Sequence, residues 1–203
     1  MTWRGLAILL CLAGSAAPAQ DSFPALYDVT GVAGDDVLNL RSGPSAGADK
    51  VGALSHDARD IEVLRRAEGA DWGLVNTGET TGWAALRFLR RQAGQDRGAF
   101  PALTRCFGTE PFWTVTATDQ GWRFDRMGEG TDTFAETWRG PAAGRSDRFG
   151  LTLSSKAGAA TAVIGIAICG DGMSDRSYGY TIDLLRPGQS GPVLYSGCCT
   201  LAP

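Results

Sequence analysis

From residue 20 onward, Gly, Pro, Asp, Asn or Ser interrupts the chain every eight to twelve positions, and no apolar repeat of helical period survives between the interruptions. Segments this short suit strands. Strands are predicted at 27–32, 37–41, 51–53, 61–65, 73–75 and 82–86 in the first half, and at 112–118, 122–125, 149–154, 160–169, 178–185 and 193–196 in the second. The segment 160–169, with Val163, Ile164, Ile166 and Ile168, is too short for a membrane span and too β-branched for a helix, and it reads as a strand buried on both faces. Roughly seven strands in the last hundred or so residues suggest a small barrel or a sandwich. The fold class is all-β.

The first residues carry a different signal. Arg4, the apolar run 6–13 and the small-x-small triplet Ala17-Pro18-Ala19 together read as a secretory signal peptide over residues 1–19. Cys11 follows Ile8-Leu9-Leu10, whereas a lipid-modified cysteine follows a small residue, so it belongs to the discarded peptide. The polar, glycine-bearing stretch 93–99 holds nothing expected to anchor a core and reads as a linker, leaving domains at 20–92 and 100–203. Outside the signal stand 18 basic and 22 acidic side chains, a balance that argues against nucleic acid as a partner. No stretch is long enough to cross a membrane as a helix.

Four cysteines remain after the signal, Cys106, Cys169, Cys198 and Cys199, all in the second domain. An exported chain oxidises such thiols, so two disulfides are expected. Neighbouring Cα atoms are about 3.8 Å apart, too close for an unstrained bridge between Cys198 and Cys199. Each of the adjacent pair then bonds elsewhere, which leaves 106–198 with 169–199 or 106–199 with 169–198. A zinc cage is disfavoured, because two of the four sulfurs stand alone in the sequence. A thiol nucleophile lacks a base, since the one histidine, His56, lies in a polar loop of the other domain.

In the first domain, Asp35-Asp36-Val37-Leu38-Asn39-Leu40-Arg41-Ser42-Gly43-Pro44-Ser45 is followed by Trp72-Gly73-Leu74-Val75, then Gly82-Trp83-Ala84 and the pair Phe88-Leu89. Over residues 26–91 this pattern resembles the bacterial SH3 domain, whose signature runs L-N-V-R-x-G-P-S, W-x-x-V, G-W-V. The resemblance implies an SH3-like barrel that recognises cell-wall peptide or an envelope protein and catalyses nothing. It also implies a contact strip made by Asp35, Asp36, Asn39 and Arg41 facing Trp72 and Trp83. The alternative for these residues is structural, with Asn39 and Arg41 capping loops and both indoles filling the core. Between residues 20 and 92 there are eight basic and eleven acidic side chains, so an acidic strip suited to the amino groups of wall peptides is expected.

The second domain carries Cys106-Phe107-Gly108-Thr109-Glu110-Pro111-Phe112-Trp113, then Cys169-Gly170-Asp171-Gly172-Met173-Ser174-Asp175-Arg176 with Tyr178, and Gly197-Cys198-Cys199. These motifs resemble a family of bacterial envelope and lipoprotein β-domains that has no established activity to transfer. Glu110 with Asp171 or Asp175 could supply an acid and a base for an envelope hydrolase, provided the rings of Phe107, Phe112 and Trp113 desolvate Glu110. The competing reading makes Asp171 to Asp175 a side-chain-capped turn beside a disulfide. A further alternative is a periplasmic inhibitor or scaffold that presents an acidic loop. No cofactor motif is present, whether phosphate loop, Ser-His-Asp set or His-Glu metal site. The expectation is a periplasmic or secreted binding protein that uses no cofactor, with its oligomeric state open.

Overall fold

A computed structural model describes residues 22–128 and 130–201; the predicted signal segment, with Arg4 and Cys11, lies outside the described residues. The first half contributes β1 (Ala25–Val29), β2 (Val37–Arg41), β3 (Lys50–Ser55), β4 (Ile61–Val63), β5 (Arg65–Arg66), β6 (Trp72–Thr77), β7 (Thr80–Ala85) and β8 (Leu89–Arg91). A single 3-10 turn, Leu86–Phe88, leads into β8. They form two sheets, ordered β4-β1-β8 and β3-β2-β7-β6-β5. Alternate residues of these strands, among them Tyr27, Val29, Leu38, Leu40, Val63, Val75 and Ala84, point into one shared core.

The second half is a closed antiparallel barrel of eight strands. In chain order these are β9 (Arg105–Thr109), β10 (Phe112–Thr118), β11 (Gly121–Arg126), β12 (Gly130–Pro141), β13 (Arg148–Ser155), β14 (Gly158–Cys169), β15 (Tyr178–Gly188) and β16 (Gly191–Thr200). Each strand pairs with its sequence neighbour, and β9 pairs with both β10 and β16, so the ladder has no free edge. The barrel is filled by side chains. Trp113, Phe124 and Tyr195 interlock with ring centroids 5.2 to 6.0 Å apart, and Phe134, Phe149, Leu151, Ile164, Ile182 and Leu184 complete the interior.

The closed meander corrects three sequence expectations. Segment 160–169 is not buried on both faces: Ala160, Ala162 and Ile164 point inward, while Val163 and Ile168 are about half exposed. An antiparallel barrel wall has one dry face and one wet one, so a run of apolar residues can alternate without looking as if it does. Two strands were missed. In β12 only Phe134 and Gly140 are buried, and a bulge between Glu136 and Trp138 breaks the two-residue period that would have revealed it. The other is β9, Arg105–Thr109, which runs through the first cysteine motif.

Consecutive strand residues face opposite sides, and this decides the disulfide pairing. Cys199 points inward and bonds Cys106, its direct partner across the β9–β16 ladder; Cys198 points outward and bonds Cys169. The 106–199 with 169–198 alternative is the one formed. All four sulfurs are thereby used, so the zinc reading falls away.

The two halves touch at several points. Leu26, on the opposite face of β1 from Tyr27, packs against the barrel core. Glu62 Oε2 accepts from Thr200 Oγ1 and from Leu201 N–H, and Tyr180 O–H donates to Pro24 O. Burial holds the Tyr180 hydroxyl well above its ordinary range, so it acts as a neutral donor. A Cβ on Gly179 would overlap the Pro24 ring; glycine is required here by close approach, not by backbone conformation.

The stretch 93–99 is tied to the first half by hydrogen bonds of Gln95. Gln95 Nε2 donates to Leu26 O at 3.0 Å, and Gln95 Oε1 accepts from Leu26 N–H at 2.6 Å. Arg91 Nη2 also donates to Gln95 O, at 2.8 Å. A glutamine amide presents a donor and an acceptor as a peptide unit does, so it satisfies Leu26 where pairing with β8 stops.

Candidate functional site

The register of the five-stranded sheet determines which strip residues meet. Arg41 pairs with Trp83, Trp83 with Leu74, and Leu74 with Arg65. Leu38 and Leu40 point into the core, so Asn39 and Arg41 point the other way, and Trp83 joins them on that outer face. Trp72, two residues before Leu74, shares the face. Four of the six predicted strip residues therefore come together: Asn39, Arg41, Trp72 and Trp83. Asp35 and Asp36 do not join them, for they precede β2 at the end away from Arg41, about 13 Å of strand farther on.

Neither tryptophan belongs to the core cluster; both are half-buried on the outer face, so the core-filling reading fails. The Arg65 guanidinium lies over the Trp83 ring, 4.8 Å from its centroid. Arg41 Nη1 donates to Ala48 O at 2.9 Å across the β2–β3 loop, as the capping alternative has it. Two arginines thus flank an indole. The face is cationic and aromatic, which corrects the acidic strip expected from the charge count. Its chemistry suits planar carboxylates and peptide surfaces better than amines.

A second concavity, of about 390 Å³, lies on the outside of the barrel and gathers the cysteine-flanking motifs. Its walls include Arg105, Phe107, Thr109, Phe112, Asp171 and Tyr178. Phe107 and Tyr178 meet edge to face at 4.8 Å, with Arg105 stacked over Phe107 at 5.0 Å. Asp171 Oδ1 accepts from the N–H groups of Met173 and Ser174, both at 2.9 Å, while Oδ2 accepts from Ser174 Oγ at 2.9 Å and from Tyr178 O–H at 3.3 Å. Both carboxylate oxygens are committed to holding the turn. The Met173 N–H, followed by the Ser174 bonds, keeps the Asp171 carboxyl below its ordinary range, whereas burial keeps the Tyr178 hydroxyl above its own.

That turn is also a joint between the halves. Asn76 Nδ2 donates to Ser177 O at 2.8 Å, Ser177 N–H donates to Asn76 Oδ1 at 3.1 Å, and Asp175 N–H donates to Glu79 O at 2.9 Å. Asn76 lies on the same strand face as Trp72 and Leu74, so the joint closes one end of the tryptophan face. Nothing in the sequence pointed to Asn76 or Arg65. Glu110 stands exposed in the β9–β10 turn, with a cis bond to Pro111, so the desolvation expected of it is absent. Asp175 is exposed too. Among the described residues no cluster of three or more His, Cys, Asp or Glu is arranged to hold a metal.

An expected outcome follows for pH. A carboxyl whose folded pKa is depressed contributes stability that is complete above its unfolded value, near 3.8, and that is lost as pH falls through the folded value. Asp171→Ala should therefore lower the urea midpoint by a constant amount above about pH 5, and the difference from the parent protein should shrink toward zero in stronger acid. A difference that does not change with pH would contradict the role given to Asp171.

The fold and the site together define an all-β protein: a closed, disulfide-bonded eight-stranded barrel joined to a small two-sheet unit with an outer Arg-Trp face. Comparison with family models, with curated proteins and with solved structures returned no match. The functional reading therefore rests on the residues themselves.

Proposed function

We propose that the protein is a non-catalytic binding protein of the periplasm or the extracellular space, in which an SH3-like unit docks on cell-wall peptide. The observation that carries this reading is the alignment of Asn39, Arg41, Trp83, Arg65 and Trp72 on one outer sheet face. Half-buried indoles on a rigid sheet supply contact area at low entropic cost, and two guanidinium groups offer paired donors to the carboxylates of a peptide. Two disulfides fit an oxidising compartment outside the cytosol. The engagement of Asp171 in its turn, together with the exposure of Glu110 and Asp175, favours docking over hydrolysis.

The test is sedimentation of the full chain with purified peptidoglycan. Trp83→Ala and the charge reversal Arg65→Glu should each reduce the bound fraction at least tenfold, with the fold retained by circular dichroism. Arg65 is exposed and pairs only in a two-residue strand, so its replacement spares the core. Sedimentation that both variants leave intact would overturn the assignment. Capture of a protein partner without affinity for wall fragments would transfer the same face to the inhibitor or scaffold class.

A further inference from the structure

Trp138, on β12, is 52% exposed, more than any other aromatic side chain among the described residues. It lies where two side chains are missing. Gly140 and Gly150 face each other across β12 and β13, and a Cβ on them would come within 2.9 and 2.8 Å of the indole. The ring therefore rests against bare backbone on the outside of the barrel, and a larger residue at either glycine would lift it.

The register sets out what surrounds the ring. Leu151, Ile164 and Ile182 point inward, so Gly150, Val163, Gly165 and Asp183 face outward with Trp138. Val163 pairs with Gly150 on one side and Asp183 on the other, and its half-exposed side chain separates the indole from the carboxylate. At the spacing of neighbouring strands, Gly150 and Asp183 stand about 10 Å apart. Asp183 is exposed, and Ser196 Oγ, on Oδ1, is the one hydrogen-bond donor its carboxylate meets among the described residues. Arg148 pairs with Gly165, the next outward residue of β14 after Val163, and its guanidinium folds over that glycine, where a Cβ would meet Nη1 at 2.6 Å. The same Nη1 donates to Asp147 O at 3.0 Å, and the side chain remains 41% exposed.

A fixed apolar ring bordered by an aliphatic side chain, then by a carboxylate and a guanidinium, offers stacking, acceptors and donors on one level surface. A sugar ring has the matching character: C–H groups on its face and hydroxyls around its edge that both donate and accept. Leu185 and Leu194, also exposed, pair with each other on β15 and β16, but Thr152 and Thr161 separate them from Trp138 along the ladder. Apolar and polar groups thus alternate across this wall, which suits an amphipathic ligand better than an extended apolar partner.

We infer that the outer wall of the barrel binds a linear oligosaccharide, with one sugar stacked on Trp138 and the chain crossing Val163 toward Asp183 and Arg148. The site stands apart from the Arg-Trp face, and either can bind without the other.

The probe is the tetramer of N-acetylglucosamine, titrated calorimetrically into the full chain with tryptophan emission read alongside. Because the tetramer carries no peptide, its binding is independent of the sedimentation result. Binding with a change in emission is expected. Trp138→Ala should weaken it about tenfold, whereas Trp138→Phe, which keeps a ring, should retain most of it. Asp183→Ala should weaken it severalfold. Trp138 is outside the core cluster, so its replacement leaves the barrel interior in place. Phe112→Ala, which removes a comparably exposed ring from another part of the barrel, should leave the affinity unchanged. No binding of the tetramer, binding that Trp138→Ala leaves intact, or an equal loss with Phe112→Ala would overturn the inference. So would a Trp138→Ala effect confined to self-association, which would make this wall a contact between copies of the chain.

Discussion

Replacing Cys106 and Cys199 together by alanine should destabilise the protein by about 4 to 5 kcal/mol. The bridge spans 93 positions, and chain-entropy arithmetic for a loop of that length gives about 4.7 kcal/mol at 25 °C, against about 3.6 for the 29-position Cys169–Cys198 loop. Location reinforces the ranking. Cys106 and Cys199 sit directly opposite each other on β9 and β16, the pair of strands that closes the barrel, and both are fully buried. Losing the bridge therefore frees the seam of the barrel and removes sulfur atoms from the core. Both cysteines must be replaced, since a lone thiol beside Cys198 would invite exchange. Urea unfolding followed by the fluorescence of Trp113 and Trp122 measures the effect. A loss smaller than that of the Cys169→Ala, Cys198→Ala double variant would contradict the assigned order.

Asp132→Ala should cost about 3 to 5 kcal/mol, a large effect for a side chain that is itself almost half exposed. The reason lies on β15, where Tyr180, Ile182 and Leu184 point inward and the two-residue period carries Arg186 into the barrel after them. Its guanidinium lies 4.1 Å from the Phe124 ring centroid and 5.9 Å from that of Phe134, only 7% exposed, and its ion-pair partner is Asp132. Removing the carboxylate leaves a buried cation among aromatic rings, and the attraction of the rings offsets only part of that penalty. Arg186→Met should be far milder, because it withdraws the charge and leaves the better-solvated Asp132 behind. Equilibrium unfolding of the two variants side by side distinguishes them; comparable losses would show that the pair is not what governs this end of the barrel.

Much of the architecture was legible before any coordinates. Turn residues at regular spacing identified the strands, because a residue such as Gly or Pro stops a strand locally, whatever lies around it. The adjacent cysteines excluded their own pairing for an equally local reason, the fixed span of one peptide. Where the pattern depended on a neighbouring strand, reading failed. In β12 the signal was erased by a bulge that exists only relative to β13, and Val163 looked buried because apolar content does not reveal which side of a wall is wet. The candidate site divides the same way. That Asn39, Arg41, Trp72 and Trp83 belong to one strip is an expectation the sequence offers; Arg65 is not, since only the β5–β6–β7 register lays it over Trp83.

The sequence by itself determined that the chain is built of strands, where most of them begin and end, and that four late cysteines form two bridges apart from the 198–199 pair. Tertiary structure alone decided which cysteine meets which, and that the Arg-Trp face is cationic although its half of the chain is acidic. Strand propensity and turn chemistry act over a few bonds and are written in order along the chain. Register, closure and packing join residues many tens of positions apart, so they take effect only once the ladder has closed.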